Sequence, residues 1–177
     1  HTLKSIFFIF LLSVFFDVAT TLVVFYLVLS IFKFRKYKAA LLAAFFYSIS
    51  VFPIQTAHFY AVDTLLTFFI LLTLYQLVRF YQKPSIKNST LSGIFFGFAL
   101  ATKVSDLPLI TAIIATIAID FILIFIKQPH KPHIWFPHIP HFLKRLMFDG
   151  FTIAVSATIT FSILQPYAII DFQEFIK

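Results

Sequence analysis

The chain has 177 residues, of which 60% are hydrophobic and only 12% are charged, and its formal net charge at pH 7 is +7. A soluble domain is roughly half apolar and a quarter charged, so this composition excludes an ordinary soluble protein. The chain has no cysteine, which excludes a disulfide framework and thiol chemistry.

Long apolar runs follow one another along the chain and predict an all-α, polytopic transmembrane bundle formed by residues 1–177 as a single domain. The region from 90 to 126 would be about 55 Å long as one helix, nearly twice a bilayer core. It is interrupted by Lys103, Ser105, Asp106 and Pro108, which predict a break there. Six crossings result, over the runs 5–32, 39–52, 64–80, 91–102, 107–126 and 151–164.

The charges alternate from one connection to the next. Basic residues cluster at 33–38, 79–87 and 127–145, whereas the intervening connections carry Asp63, Asp106, Asp171 and Glu174. Basic loops are retained on the cytoplasmic side, so residues 58–63, 103–106 and 167–177 are predicted to lie outside. The membrane is predicted to be the plasma (inner) membrane. This placement gives the positive charge a topological role, and no nucleic-acid partner is predicted.

Two of the predicted crossings are too short for a bilayer core of about 30 Å. Residues 39–52 span about 20 Å and residues 91–102 about 18 Å, and both end at the outer face. Irregular polar backbone at membrane depth is tolerated where it lines a cavity, so an outward-facing cavity is predicted. Its candidate rim and wall residues are polar or charged and come from three connections: His58, Tyr60, Asp63, Lys103, Ser105, Asp106, Gln165 and Tyr167.

Two of these residues have alternative interpretations. Asp63 starts an apolar run, where an acid caps a helix and favours its dipole, or it orients a polar ligand together with His58. Lys103 near membrane depth is costly unless its side chain snorkels to the interface or meets an anion. That anion is either the phosphate of a lipid carrier or Asp106, three residues further along.

Other polar groups suggest less specific roles. Asp17 lies within the first span and either hydrogen bonds between helices, with Thr20 and Thr21 one turn away, or has a function. Asp120 is expected to reach the interface or pair with Lys127. Two His-x-x-His spacings, at 130–133 and 138–141, could hold a transition metal, or the loop contacts anionic lipid through Trp135 and Phe136. The sequence assigns no metal ligand and no cofactor. Binding of a divalent metal is left as an alternative.

Three stretches resemble the GT-C superfamily of membrane glycosyltransferases, in particular the family 39-like branch of protein O-mannosyltransferases and lipid-A aminoarabinose transferases. "TAHFYAVDTLLTFFILLTLY" is similar to the segment in which an Arg or His precedes an Asp that opens a helix. "LSGIFFGFALATKVSDLPLI" resembles the Gly-x-x-x-Gly-x-Ala-x-x-x-Lys segment, with Gly93, Gly97, Ala99 and Lys103 in place. "LQPYAIIDFQEF" is like the stretch that closes the seventh helix.

The resemblance implies inverting transfer of a mannose-like sugar, or another hexose or pentose, from a polyprenyl-phosphate donor to a protein, lipid or glycan acceptor at the outer face. Carried over by position, Asp63 is a site-organising acid, with His58 and Tyr60, and Lys103 a donor-phosphate contact. His58 stands where eukaryotic relatives carry Arg, a departure from the pattern.

In that family the catalytic acid lies between the first and second helices. Since this chain is similar to helices two to seven, that acid is expected upstream, and residues 1–177 are expected to be inactive alone. The alternative hypothesis is a small multispan transporter or lipid-binding subunit, with Asp17, Asp63, Lys103 and Asp106 along a permeation route. Membrane lipids are partners in either case.

Overall fold

The computed structural model describes residues 2–33, 35–50, 62–127 and 139–170. Within these ranges the chain forms helices and no strand, which confirms the predicted all-α bundle. The helices are α1 (Thr2–Ile31), α2 (Tyr37–Ser48), α3 (Val62–Gln82), α4 (Ile86–Thr102), a 3₁₀ turn (Val104–Asp106), α5 (Leu109–Lys127), α6 (Ile139–Leu164) and the short α7 (Tyr167–Ile170).

Side-chain contacts show that the helices alternate in direction. The Tyr47 hydroxyl of α2 reaches Asp17 of α1, so these two helices are antiparallel. In α1 and α3, Ser13 bonds to Thr64 at one end and the Ser30 carbonyl accepts from Gln82 at the other, so they are parallel. The first three helices therefore run up and down, as consecutive membrane crossings require.

The predicted break between the fourth and fifth crossings is confirmed. Helix α4 ends at Thr102, the 3₁₀ turn follows, and α5 begins at Leu109. The predicted end of the last crossing is also confirmed, because α6 stops at Leu164, before Gln165 and Pro166.

Two predicted boundaries were wrong. Helix α4 begins at Ile86 and has 17 residues, about 25 Å, because the Ser85 hydroxyl caps it by accepting from the Asn88 N–H at 3.3 Å. It is therefore not the very short crossing predicted for 91–102, whereas α2, with 12 residues, is short. Helix α6 begins at Ile139, well before the apolar run at 151, since Pro140 in its first turn removes only an N–H that lacks an intrahelical acceptor.

Three of the described helical segments are long and apolar enough to cross a membrane: Phe10–Ile31, Val62–Gln82 and Leu146–Leu164. Their outward faces are apolar and exposed, as for Phe15, Phe151 and Ile163. The chain is thus an integral membrane protein, and its basic clusters at the α1–α2 and α3–α4 turns lie at one end of the bundle.

The most extensive helix contact is a seam of small residues between α4 and α6. Ser89, Gly93, Gly97 and Ala101 follow at intervals of four, so they lie on one face of α4. Lipid chains are as apolar as the helices, so helix association depends on close packing, which small residues permit. A Cβ at Gly97 would lie 2.6 Å from the Ala157 carbonyl oxygen and 2.8 Å from Thr160 Cβ.

We predict that Gly97→Ala destabilises the protein by about 1–3 kcal/mol, because the added methyl group would meet the α6 backbone. Gly93→Ala should act in the same way, since its Cβ would overlap the Ser156 hydroxyl and the Ile153 carbonyl. The measurement is thermal unfolding of the purified protein in detergent.

Gly150→Ala is the matched control. Among the described residues, a Cβ there meets only Ile117 Cδ1, at 3.8 Å, and alanine favours the helix. Equal melting temperatures for all three variants would show that the seam is not tightly packed.

Candidate functional site

Asp63 and Lys103 meet at the end of the bundle opposite the basic clusters. Lys103 Nζ lies 3.2 Å from Asp63 Oδ1, and their side chains are 52% and 44% exposed. Asp63 is in the first turn of α3, where a negative charge favours the helix dipole. The structural alternative for Lys103, a pair with Asp106, was wrong: its carboxylate partner is Asp63, 40 residues earlier in the chain.

The backbone at the end of α4 places Lys103 at this position. Lys103 is extended, with φ −159° and ψ 118°, while its N–H still donates to the Ala99 carbonyl. The carbonyls of a last helical turn lack intrahelical donors. The Ala101 carbonyl obtains one from the Gln165 side-chain amide at 2.9 Å, which ties the end of α6 to the end of α4.

A cavity of about 600 Å³ lies beside the Asp63–Lys103 pair. Four helices contribute to it, and two of its lining residues, Val62 and Thr102, directly precede Asp63 and Lys103 in the chain. The lining is mostly apolar and comprises Leu12, Phe16, Val62, Leu65, Phe69, Phe98, Ala101, Thr102, Leu164 and Gln165.

Aromatic rings make the deeper wall of this cavity. Phe69 and Phe98 are stacked, with ring centroids 4.8 Å apart and an interplanar angle of 10°. Phe16 packs against Phe69 and Phe68. The arrangement joins an apolar cavity to a charged pair at one edge, which suits an amphipathic ligand with an anionic group.

Asp106 is the second acid near this end, in the 3₁₀ turn. Its Oδ2 is buried and has no hydrogen-bond partner within the described part of the chain. Burial without a compensating partner raises the pKa of this carboxyl above its usual 3.8.

The other predicted site residues are placed as follows. His58 and Tyr60 lie outside the described residues, as does the side chain of Ser105. Gln165 lines the cavity, whereas Tyr167, on α7, is 74% exposed and is not among the lining residues described.

Asp17 forms the predicted hydrogen bond between helices, but with a different partner. Thr20 and Thr21 donate to backbone carbonyls of their own helix, and Tyr47 of α2 donates to Asp17 Oδ1 at 3.1 Å. Tyr47 was missed because nothing in the sequence links two residues 30 positions apart.

The remaining candidates fall largely outside the structure. The side chain of Asp120 and the loop containing His130, His133 and His138 are not described. Elsewhere in the described chain, no three His, Cys, Asp or Glu residues come together as metal ligands.

A comparison with protein-family models identifies the family of the chain. Residues 2–139, well over half of the chain, match the model described as dolichyl-phosphate-mannose-protein mannosyltransferase. The chain belongs to this family. The resemblance to the GT-C glycosyltransferases is thereby confirmed, and the protein belongs to a family of membrane glycosyltransferases. No curated protein and no solved structure matches it significantly.

The matched range includes both halves of the charged pair and most of the cavity wall. Asp63, Lys103 and the glycines of the seam all lie within it, while Gln165 and nearly all of α6 follow it. The mannosyltransferase-family region therefore requires a helix beyond the matched range to complete the cavity.

We predict that Asp106→Asn raises the melting temperature at pH 7 by a few degrees. The raised pKa means that the folded protein binds this proton more tightly than the unfolded chain, so the ionised group disfavours folding at neutral pH. The gain should shrink as the pH falls through the raised pKa and vanish below the usual value of 3.8.

Asp63→Asn is the control, measured over the same pH range. Its carboxylate accepts from Lys103, so neutralising it should give no such gain. A gain for Asp106→Asn that grows on acidification would contradict the assignment.

Proposed function

We propose that this protein transfers a sugar from a polyprenyl-phosphate donor to a hydroxyl of a protein, lipid or glycan acceptor at the outer face of the membrane. A mannose-like hexose is the sugar class that the family description favours. The proposal rests mainly on one observation: Lys103 is half exposed and lies at the edge of an apolar cavity with aromatic walls.

The two parts of such a donor fit the two parts of the site. The first isoprene units occupy the cavity lined by Phe16, Phe69 and Phe98, and the phosphate reaches Lys103. A charge-assisted hydrogen bond from an ammonium to a phosphate is stronger than one between neutral groups.

Lys103 can bind the donor phosphate because its ion pair with Asp63 is weak. Exposed pairs contribute only about 0–1 kcal/mol to stability, so a phosphate can replace Asp63 at little cost. Donor binding then releases the Asp63 carboxylate beside the phosphate, where it organises the acceptor.

The proposed reaction is a displacement at the anomeric carbon. The acceptor oxygen forms the new glycosidic bond, the bond to the phosphate oxygen breaks, and the acceptor proton passes to a general base. Lys103 stabilises the charge that builds on the leaving phosphate. No described residue is assigned as the base, and the scheme uses no cofactor.

We predict that Lys103→Gln, in the protein expressed from its complete gene, lowers kcat/KM for the polyprenyl-phosphate sugar by at least about 100-fold, since one lost contact to developing charge costs about that much. Lys103→Arg should recover part of the rate because it restores the positive charge. Sugar transfer in proteoliposomes is the measurement.

Lys83→Gln is the matched control, because it removes an exposed lysine at the opposite end of the bundle. It should keep full activity. Parallel losses of folded protein and activity in Lys103→Gln would instead support a purely structural role for the Asp63–Lys103 pair.

The proposed sidedness places the charged pair outside and the basic turns on the cytoplasmic side of a plasma (inner) membrane. The chain has no cysteine, so single cysteines can report it directly. We predict that Val104→Cys reacts with an impermeant maleimide added to intact cells and that Lys83→Cys reacts only after permeabilisation. Both positions are exposed, so the opposite pattern would invert the topology.

A further inference from the structure

The turn between α1 and α2 is tightly folded and strongly basic. Lys33 adopts a left-handed conformation, with φ 49°, and its N–H donates to the Ser30 carbonyl at 3.0 Å. The Arg35 N–H then donates to the Phe32 carbonyl at 3.0 Å. This reversal brings Arg35, Lys36 and Lys38 together at the start of α2.

These three cations are exposed, and their described contacts include no carboxylate. Lys36 Nζ lies 5.0 Å from the centre of the Phe32 ring. The sequence has no acidic residue between Asp17 and Asp63. A cleft of about 480 Å³ separates the basic side chains and is lined by Arg35, Lys36, Tyr37, Lys38 and Ala39.

The start of α2 also offers backbone donors. Its N-cap residue, Lys36, makes no side-chain capping bond, and the first helical hydrogen bond described is from the Ala40 N–H to the Lys36 carbonyl. The N–H groups of Tyr37, Lys38 and Ala39 therefore have no intrahelical acceptor. By contrast, the start of α4, which follows the other basic turn, is capped by the Ser85 hydroxyl.

We propose that this cleft binds the phosphate of an anionic phospholipid in the leaflet at this end of the bundle. Arg35, Lys36 and Lys38 supply the charge, and the free N–H groups at the start of α2 supply directed hydrogen bonds. The proposal is independent of the sugar transfer, which takes place at the opposite end.

A lipid is the phosphate source because apolar side chains flank the cleft on its membrane side. Ile31, Phe32 and Leu41 are 51%, 42% and 49% exposed, where acyl chains would run. Tyr37, 58% exposed and packed edge-on against Phe25, is an aromatic residue of the kind that occupies membrane interfaces.

The test is a titration of the purified protein in neutral detergent, followed by native mass spectrometry. The probes are phosphatidylglycerol, phosphatidylcholine and inorganic phosphate. Replacing Arg35, Lys36 and Lys38 together by Gln should weaken phosphatidylglycerol binding at least tenfold, because each charge near a membrane surface contributes about fivefold.

The matched control replaces Arg79, Lys83 and Lys87 by Gln, which removes the same charge at the same end of the bundle. It should change binding less than threefold. Equal losses in the two triple variants would overturn the proposal in favour of diffuse attraction, and saturation by millimolar inorganic phosphate would overturn the choice of a lipid.

A second pair of variants tests the backbone donors without relying on the triple variant. Lys36→Ala and Lys36→Ser remove the same charge, but the serine hydroxyl can cap the free N–H groups and so compete with the phosphate. Lys36→Ser should bind phosphatidylglycerol about threefold more weakly than Lys36→Ala. Equal or tighter binding by the serine variant would overturn the proposed use of these N–H groups.

Discussion

The close approach of α4 to α6 is the constraint on which the rest of this structure depends. A membrane supplies little hydrophobic force between helices, so the pair is held by packing and by hydrogen bonds. The two glycines of the seam leave no space for a side chain, and Ser89 adds a bond to Asp149 at 3.3 Å. At the far end of the same seam, Gln165 reaches the Ala101 carbonyl, which ties the end of α6 to the end of α4.

That seam connects the packing of the bundle to its chemistry. Because α4 is fixed against α6, its other face carries Phe98 onto Phe69 of α3 and its end brings Lys103 to Asp63. A shift of α4 along its axis by one residue, about 1.5 Å, would separate this pair and alter the cavity at once. The glycines are distant from the charged groups of the site, but they affect it because they set the position of α4.

The sequence was most informative where a rule acts locally. The all-α class, the break after Thr102 and the end of α6 follow from apolar length, from charges within an apolar run and from proline. The family resemblance also rested on local motifs, and Asp63 and Lys103 were both singled out individually. Sequence rules failed at the start of α6, since a run of Pro and His hid a helix whose first turn tolerates proline.

Pairings between distant helices could not be predicted in the same way. Which face of one helix meets which face of another depends on tilt and rotation, and these are decided by packing rather than by spacing along the chain. The nearest acid to Lys103 in sequence is Asp106, yet the carboxylate that reaches its ammonium group comes from α3. Asp17 likewise had threonines one turn away, but their hydroxyls donate to main-chain carbonyls, which left the carboxylate for Tyr47.

The two acids at the Lys103 end of the bundle, Asp63 and Asp106, differ in exposure and in pairing. Asp63 is half exposed, is paired with a cation and is ready to exchange that partner for water or substrate. Asp106 has a buried oxygen without a described partner, so it is held at a cost to stability. Under the proposed function, Asp63 is therefore the acid that can meet the acceptor, and Asp106 has no assigned part in the reaction.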